Sequence, residues 1–246
     1  RPFSTKLTHI DATRLSLDES LNLTRIVTSS VFLTHVCLSG CEISLSIATH
    51  LSHLPRLSHL DLSMCGNLTP DNLSLILMGS GRMIEELNVS CSRVGREGGM
   101  AIANHLSTNL LRIDLSGSAS YENPDDSIDD TVVDTLVNNC PHLWEIHMSD
   151  SPNITEKALE NMMTLPNLES LSLSRCYGIH PQEYLKVHRL SILCVYGLLG
   201  EEGVQTLRDR LPSTRVNHLE LAISTVARPT PSPHVTSLWG VKVKSF

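Results

Sequence analysis

Apolar residues recur along the chain in one short pattern, LxxLxL, with Ile, Val, Met or Ala taking some of the Leu places. Matches open at Leu7 (with Ile10 and Ala12) and Leu33 (with Val36 and Leu38). They continue at Leu57/Leu60/Leu62, Ile84/Leu87/Val89 and Leu110/Ile113/Leu115, then Leu143/Ile146/Met148 and Leu168/Leu171/Leu173. Leu190/Leu193/Val195 and Val216/Leu219/Leu221 complete the series. Successive starts lie 26, 24, 27, 26, 33, 25, 22 and 26 residues apart. Alternation within each match predicts a short strand with its apolar residues on one face. The stretch between matches has room for a turn, a helix and a return.

Helix starts are predicted at Thr69-Pro70-Asp71-Asn72, Gly95-Arg96-Glu97 and Thr155-Glu156-Lys157, where turn or capping residues precede an apolar stripe. Stops are predicted near Leu54-Pro55, Cys140-Pro141, Leu165-Pro166 and Leu211-Pro212, because proline disfavours helix at the residue before it. No unit can bury its own stripe, so stacked neighbours must share one core. Nine matches at this spacing carry the leucine-rich-repeat period. The expected fold is therefore α/β: a right-handed horseshoe solenoid of about nine repeats of ~26 residues, with a parallel sheet on its concave face. Residues 1–221 form the solenoid, and residues 222–246 a tail beyond the last match.

Aligning the strands gives rows across the concave sheet. The middle row reads Asp11, Cys37, Asp61, Asn88, Asp114, His147, Ser172, Cys194, Glu220. Two residues earlier stand His9, His35, His59, Glu86, Arg112, Glu145, Ser170, Ile192 and His218. Two residues later runs a file of hydroxyls: Thr13, Ser39, Ser63, Ser90, Ser116, Ser149, Ser174 and Tyr196. The hydroxyls read as structural bonds at the strand ends. His9, His35 and His59, with Asp11 and Asp61, are the one cluster resembling a metal site, but strands at sheet spacing set the rings side by side rather than around one ion. No metal or cofactor is expected. Asp114, His147 and Tyr196 are possible concave-face contacts.

The ninth place of each unit, where the chain turns off the strand, holds Cys41, Cys65 and Cys176, and elsewhere Ser92, Ser118, Ser151 and Ser224. A small, weak donor suits that turn, so these cysteines read as structural. Cys37 and Cys194 fall at outward positions and are expected as exposed thiols. The long fifth interval carries a loop, 118–127, ahead of a helix predicted over Ile128–Asn139. Asp125, Asp126, Asp129 and Asp130 lack the EF-hand ladder and read instead as carboxylates entering a helix.

Composition narrows the function. Leu supplies 39 residues while Phe, Tyr and Trp supply nine, so the Leu excess belongs to the repeats and few large rings remain for a binding surface. The net charge of −7 argues against a counterion-displacing nucleic-acid surface. No apolar run approaches the ~18 residues of a membrane span. Seven cysteines, without CxxC or zinc spacing, fit a reduced intracellular protein. GxSxG, HExxH, Walker A and GxGxxG motifs do not occur. Protein binding without catalysis is the expectation. The chain opens without an initiator Met and is expected to be a fragment.

The tail contains Pro229, Pro231 and Pro233, then Trp239-Gly240-Val241-Lys242-Val243-Lys244-Ser245-Phe246. It has no acidic residue and carries Arg228, Lys242 and Lys244, a charge of +3 against −10 before it. It is expected to fold back over the acidic concave rows, anchored by Trp239, Val241 or Phe246.

Leu168-Glu169-Ser170-Leu171-Ser172-Leu173-Ser174-Arg175-Cys176-Tyr177, Ala227-Arg228-Pro229-Thr230 and Trp239-Gly240 carry a resemblance, distinctive from about Leu143 onward. They are similar to the last repeats and tail of substrate receptors of the S-phase kinase-associated type. These are F-box, leucine-rich-repeat proteins of SCF ubiquitin ligases. The resemblance implies recognition of cell-cycle regulators, such as phosphorylated CDK inhibitors, for ubiquitin-dependent degradation, in nucleus and cytoplasm. It implies a small CDK accessory protein docked on the concave face, with Asp150, Arg175, Tyr177 and Trp239 as partner-binding residues. The family's Trp in repeat four is replaced by Cys91, and an aromatic–basic pair in repeat five by Ser118 and Ala119. The SCF adaptor would bind only through an F-box, which this chain lacks and which is expected upstream. The alternative is a stand-alone leucine-rich-repeat interaction scaffold with no ligase role.

Overall fold

The computed structural model describes residues 7–13, 29–118, 123 and 126–217. Nine strands stack in chain order as one open parallel sheet. They are β1 (His9–Asp11), β2 (His35–Cys37), β3 (His59–Asp61), β4 (Glu86–Asn88), β5 (Arg112–Asp114), β6 (Glu145–His147), β7 (Ser170–Ser172), β8 (Ile192–Cys194) and β9 (Arg215–Val216). Pairing puts Ile10, Val36, Leu60, Leu87, Ile113, Ile146, Leu171 and Leu193 in one inward file. From Val36 to Leu193 that file is completely shut off from solvent. The α/β leucine-rich-repeat solenoid read from the periodicity is the observed fold.

Helices return the chain on the other side: α1 (Leu45–Ser52), α2 (Pro70–Ser80), α3 (Gly95–His105), α4 (Asp130–Asn139), α5 (Glu156–Met162) and α6 (Glu201–Arg210). Their starts follow the capping residues. Thr69 Oγ1 accepts from Asn72 N at 3.2 Å, and Thr155 Oγ1 from Lys157 N at 3.3 Å. α4 begins two residues later than predicted because Asp129 is its cap, accepting from Val132 N at 3.0 Å. Between β7 and β8 a 3-10 helix, Pro181–Lys186, replaces the α-helix, in the interval that is shortest in the sequence.

The ninth-place side chains tie each repeat to the one before. Cys41 Sγ donates to Ala12 O at 2.9 Å, Cys65 Sγ to Leu38 O at 3.2 Å and Cys176 Sγ to Met148 O at 3.2 Å. Ser92 Oγ does the same toward Leu62 O at 2.6 Å. These thiols sit in the core and are structural, as their places implied. Ser224 lies outside the described residues.

Two expectations are corrected. Val216 pairs opposite Leu193, so it takes the second apolar place of the ninth unit and not the first. The chain turns directly from α6 through 211–214 into the strand, and β9 arrives three residues early. Cys194 is buried and Cys37 half-buried, so neither is an exposed thiol. Burial pushes Cys37 up to about 12 and Cys194 up to about 11, which keeps both protonated.

Candidate partner-binding surface

Strands β2 to β8 are each followed by a residue with left-handed backbone: Gly40, Met64, Cys91, Gly117, Asp150, Arg175 and Gly197, with φ between 57° and 74°. From Gly40 to Arg175 its N–H donates to the next repeat, as from Met64 to Ser90 O at 2.8 Å and from Arg175 to Tyr196 O at 2.9 Å. Side chains other than glycine pay roughly 1–2 kcal/mol there. Four such residues therefore stand on one rim of the concave sheet in a conformation that the turn alone would give to glycine. Met64 and Cys91 are exposed members of that row that the repeat pattern did not single out. The glycines at 40, 117 and 197 were the available signal.

Asp150 and Arg175, on consecutive repeats, form a two-pronged ion pair. Arg175 Nε donates to Asp150 Oδ1, and Nη2 to Oδ2 at 2.5 Å. Both side chains keep more than a third of their surface in water. Gly197 makes room for the arginine, since a Cβ there would lie 2.9 Å from Arg175 Cγ. The same point is 3.9 Å from the Tyr177 hydroxyl, and Tyr177 is 70% exposed. Two of the four predicted partner residues, Arg175 and Tyr177, thus meet at one glycine, and Asp150 joins them through the ion pair. Trp239 lies outside the described residues, as does the tail expected over this face.

Deeper in the face the charged rows pair with one another. His9, His35 and His59 stack, with ring centroids 4.0 and 3.9 Å apart. Each Nδ1 meets the hydroxyl of the preceding residue at 2.8 Å: Thr8, Thr34 and Ser58. Parallel rings do not converge on a metal. Burial, followed by its two histidine neighbours, lowers His35 to about 4 and keeps it neutral. The stack runs into charge at β4, where His59 Nε2 stands 3.1 Å from Glu86 Oε1 and Arg112 pairs with the same carboxylate. The Arg112 guanidinium also lies 5.2 Å from the Trp144 ring.

Asp114 and His147 are almost fully buried, at 1% and 4% exposure. His147 Nε2 stands 3.1 Å from Glu145 Oε1, and Nδ1 stands 3.7 Å from Asp114 Oδ2. Burial opposes charge on His147, but the two carboxylates outweigh it and hold the imidazole up to about 10. These two predicted contacts are committed to each other. Tyr196 is half-buried, with its N–H donated to Ser174 Oγ at 3.1 Å.

The hydroxyl file does bond along the strand ends: Ser63 Oγ to Ser39 Oγ at 2.9 Å, Ser149 Oγ to Ser172 Oγ at 2.9 Å, Ser174 N to Ser149 Oγ at 3.2 Å. The middle-row carboxylates and amide serve the same turn, with Ser63, Ser90 and Ser116 N–H bonded to Asp61, Asn88 and Asp114. Around the long loop, Asp126 accepts from Arg96 N at 2.7 Å, Asp129 from Arg96 Nε at 2.6 Å, and Asp130 from Thr155. Those three aspartates are occupied in fastening repeats together. Among the described residues no group of three or more His, Cys, Asp or Glu could hold a metal, and no helix is long and apolar enough to cross a membrane.

Three solved structures that the chain resembles are distant from it in sequence. The leucine-rich-repeat protein LegL7 of Legionella pneumophila is 17% identical with a TM-score of 0.52, over 87% of this chain and 75% of that one. The TLR13–ssRNA13 complex gives 18% identity and a TM-score of 0.47, over 85% of this chain and 27% of that one. The Rad7–Elc1 complex of yeast gives 13% and 0.39, over 85% and 75%. The first of these shows a shared fold. A leucine-rich-repeat protein-interaction domain, generally a non-catalytic scaffold, is what the architecture provides. Residues 3–246 match the SKP2 LRR domain, and the chain belongs to that family.

Proposed function

We propose that this chain is the substrate-recognition region of an SCF-type ubiquitin ligase. It would bind a cell-cycle regulator such as a phosphorylated CDK inhibitor, together with a small CDK accessory protein, in nucleus and cytoplasm. It contributes no catalytic group; ligase chemistry would reside in partner subunits, joined through an F-box outside this sequence. The observation that carries the reading is the meeting of Arg175 and Tyr177 at Gly197 on the concave rim, with Asp150 joined to them through its ion pair with Arg175. An exposed ion pair contributes little to folding, about 0–1 kcal/mol, so its two strained left-handed residues are better explained by docking. A partner that covers the pair removes it from water and strengthens it.

Cys91 and the Ser118–Ala119 pair favour a second reading, a stand-alone scaffold with no ligase role, because they remove rings that the resemblance would place on this face. Capture of phosphorylated and unphosphorylated inhibitor, each with and without the accessory protein, separates the two. Phosphate-dependent capture supports the receptor; indifference to both phosphate and accessory protein leaves the scaffold.

A further inference from the structure

The convex side carries a different feature. A 3-10 helix is narrower than an α-helix. Among the described returns, Pro181–Lys186 stands in place of an α-helix, whereas the 3-10 turn Gly81–Met83 only extends α2. The mutually packed helices α1 to α5 end at this place. The space left behind α5 is a cavity of about 210 Å³, lined by Leu159, Met163 and Val187 with Glu160, Glu183, Lys186 and His188. Leu185, on the same short helix, is 40% exposed. The Arg189 guanidinium donates to Met163 O at 3.0 Å and ties the end of α5 to the approach to β8.

Size and charge together select the occupant. A cavity of 210 Å³ is smaller than the roughly 300–1,000 Å³ of a small-molecule site but takes one bulky apolar side chain. At the mouth, Lys186 Nζ is bonded to Glu183 Oε2 at 2.5 Å and also feels Glu160 and Glu156. The cavity wall thus carries two carboxylates, Glu160 and Glu183, beside one ammonium, while the Arg189 guanidinium is turned to a carbonyl.

We infer that this cavity is a docking site for a protein segment with one bulky apolar side chain flanked by Lys or Arg. The apolar side chain fills the space over Leu159, Met163 and Val187, while the flanking cations meet Glu160 and Glu183. This face lies across the molecule from the concave rim, so its occupancy is independent of the function proposed above.

The test uses the whole chain with its methionine methyls labelled with ¹³C and three five-residue probes. One has phenylalanine between Gly-spaced arginines, the second replaces the phenylalanine by alanine, and the third replaces both arginines by glutamates. The first should shift the Met163 methyl saturably, with the other two at least about tenfold weaker, as loss of ~1.4 kcal/mol or more implies. Glu160→Lys, on an exposed position, should weaken the first probe about two- to fivefold and leave the melting temperature unchanged. No shift of Met163 at millimolar peptide overturns the inference. So does equal binding of the glutamate probe, or full binding by Glu160→Lys.

Discussion

Asp61 sits in the middle row of the concave sheet with no exposed surface, and its Oδ2 has no hydrogen-bond partner. Burial pushes its pKa up to about 6, from an ordinary value of 3.8. A carboxyl raised in this way folds best when protonated. Its contribution to stability is therefore greatest below pH 4, declines as pH rises toward 6, and stays reduced above that. Asn88, the paired residue on β4, accepts from Ser90 N at 2.9 Å as Asp61 accepts from Ser63 N at 2.8 Å. Asp61→Asn should consequently stabilise the fold by ~1–3 kcal/mol at pH 7 and by much less at pH 4. Denaturant unfolding at the two pH values checks this, and a loss of stability at pH 7 would contradict it. His35 works in the opposite direction: its stability contribution is complete above pH 6.5 and is lost as pH falls toward 4. Acid titration followed by histidine NMR should show His35 protonating only as pH falls to about 4. None of this was readable beforehand. The rows gave the residue types, but burial and partners depend on side-chain directions that a one-dimensional pattern does not carry.

Helix α2 contains Gly79 one residue from its end, packed against the end of α1. Helix propensity alone favours Gly79→Ala by about 1 kcal/mol. A Cβ at that place would lie 2.1 Å from Ser52 O, a backbone atom that cannot rotate away. We expect Gly79→Ala to destabilise by ~2 kcal/mol or more, as overpacking does, measured by thermal unfolding; a rise in melting temperature would mean that the helices separate freely. Capping residues and prolines made most helix ends legible, since those signals act within four residues. The 3-10 helix was not foreseen, although the 22-residue interval before Leu190 was its trace. The cavity beside it follows from that one missing turn.

At the scale of the molecule, period and pairing agree from β1 to β8, because a leucine repeat must place its apolar file inward to exist at all. Only the last unit slips, where α6 runs straight into β9. The candidate face was half legible. The resemblance named Asp150, Arg175 and Tyr177, yet the ion pair between the first two depends on left-handed turns that the aligned rows did not show. If the pair is presented to a partner as a unit, exchanging its charges (Asp150→Arg with Arg175→Asp) should restore part of the capture that either single change loses, which a double-mutant cycle would register. We propose that a protein partner docks on the rim of repeats six and seven. Isothermal titration of the accessory protein with phosphorylated inhibitor into the chain and into Arg175→Glu tests it most directly. The account predicts at least about tenfold weaker binding, as expected for ~1.4 kcal/mol or more lost at a desolvated charge, with an unchanged melting temperature. Equal affinity for the two proteins would contradict it.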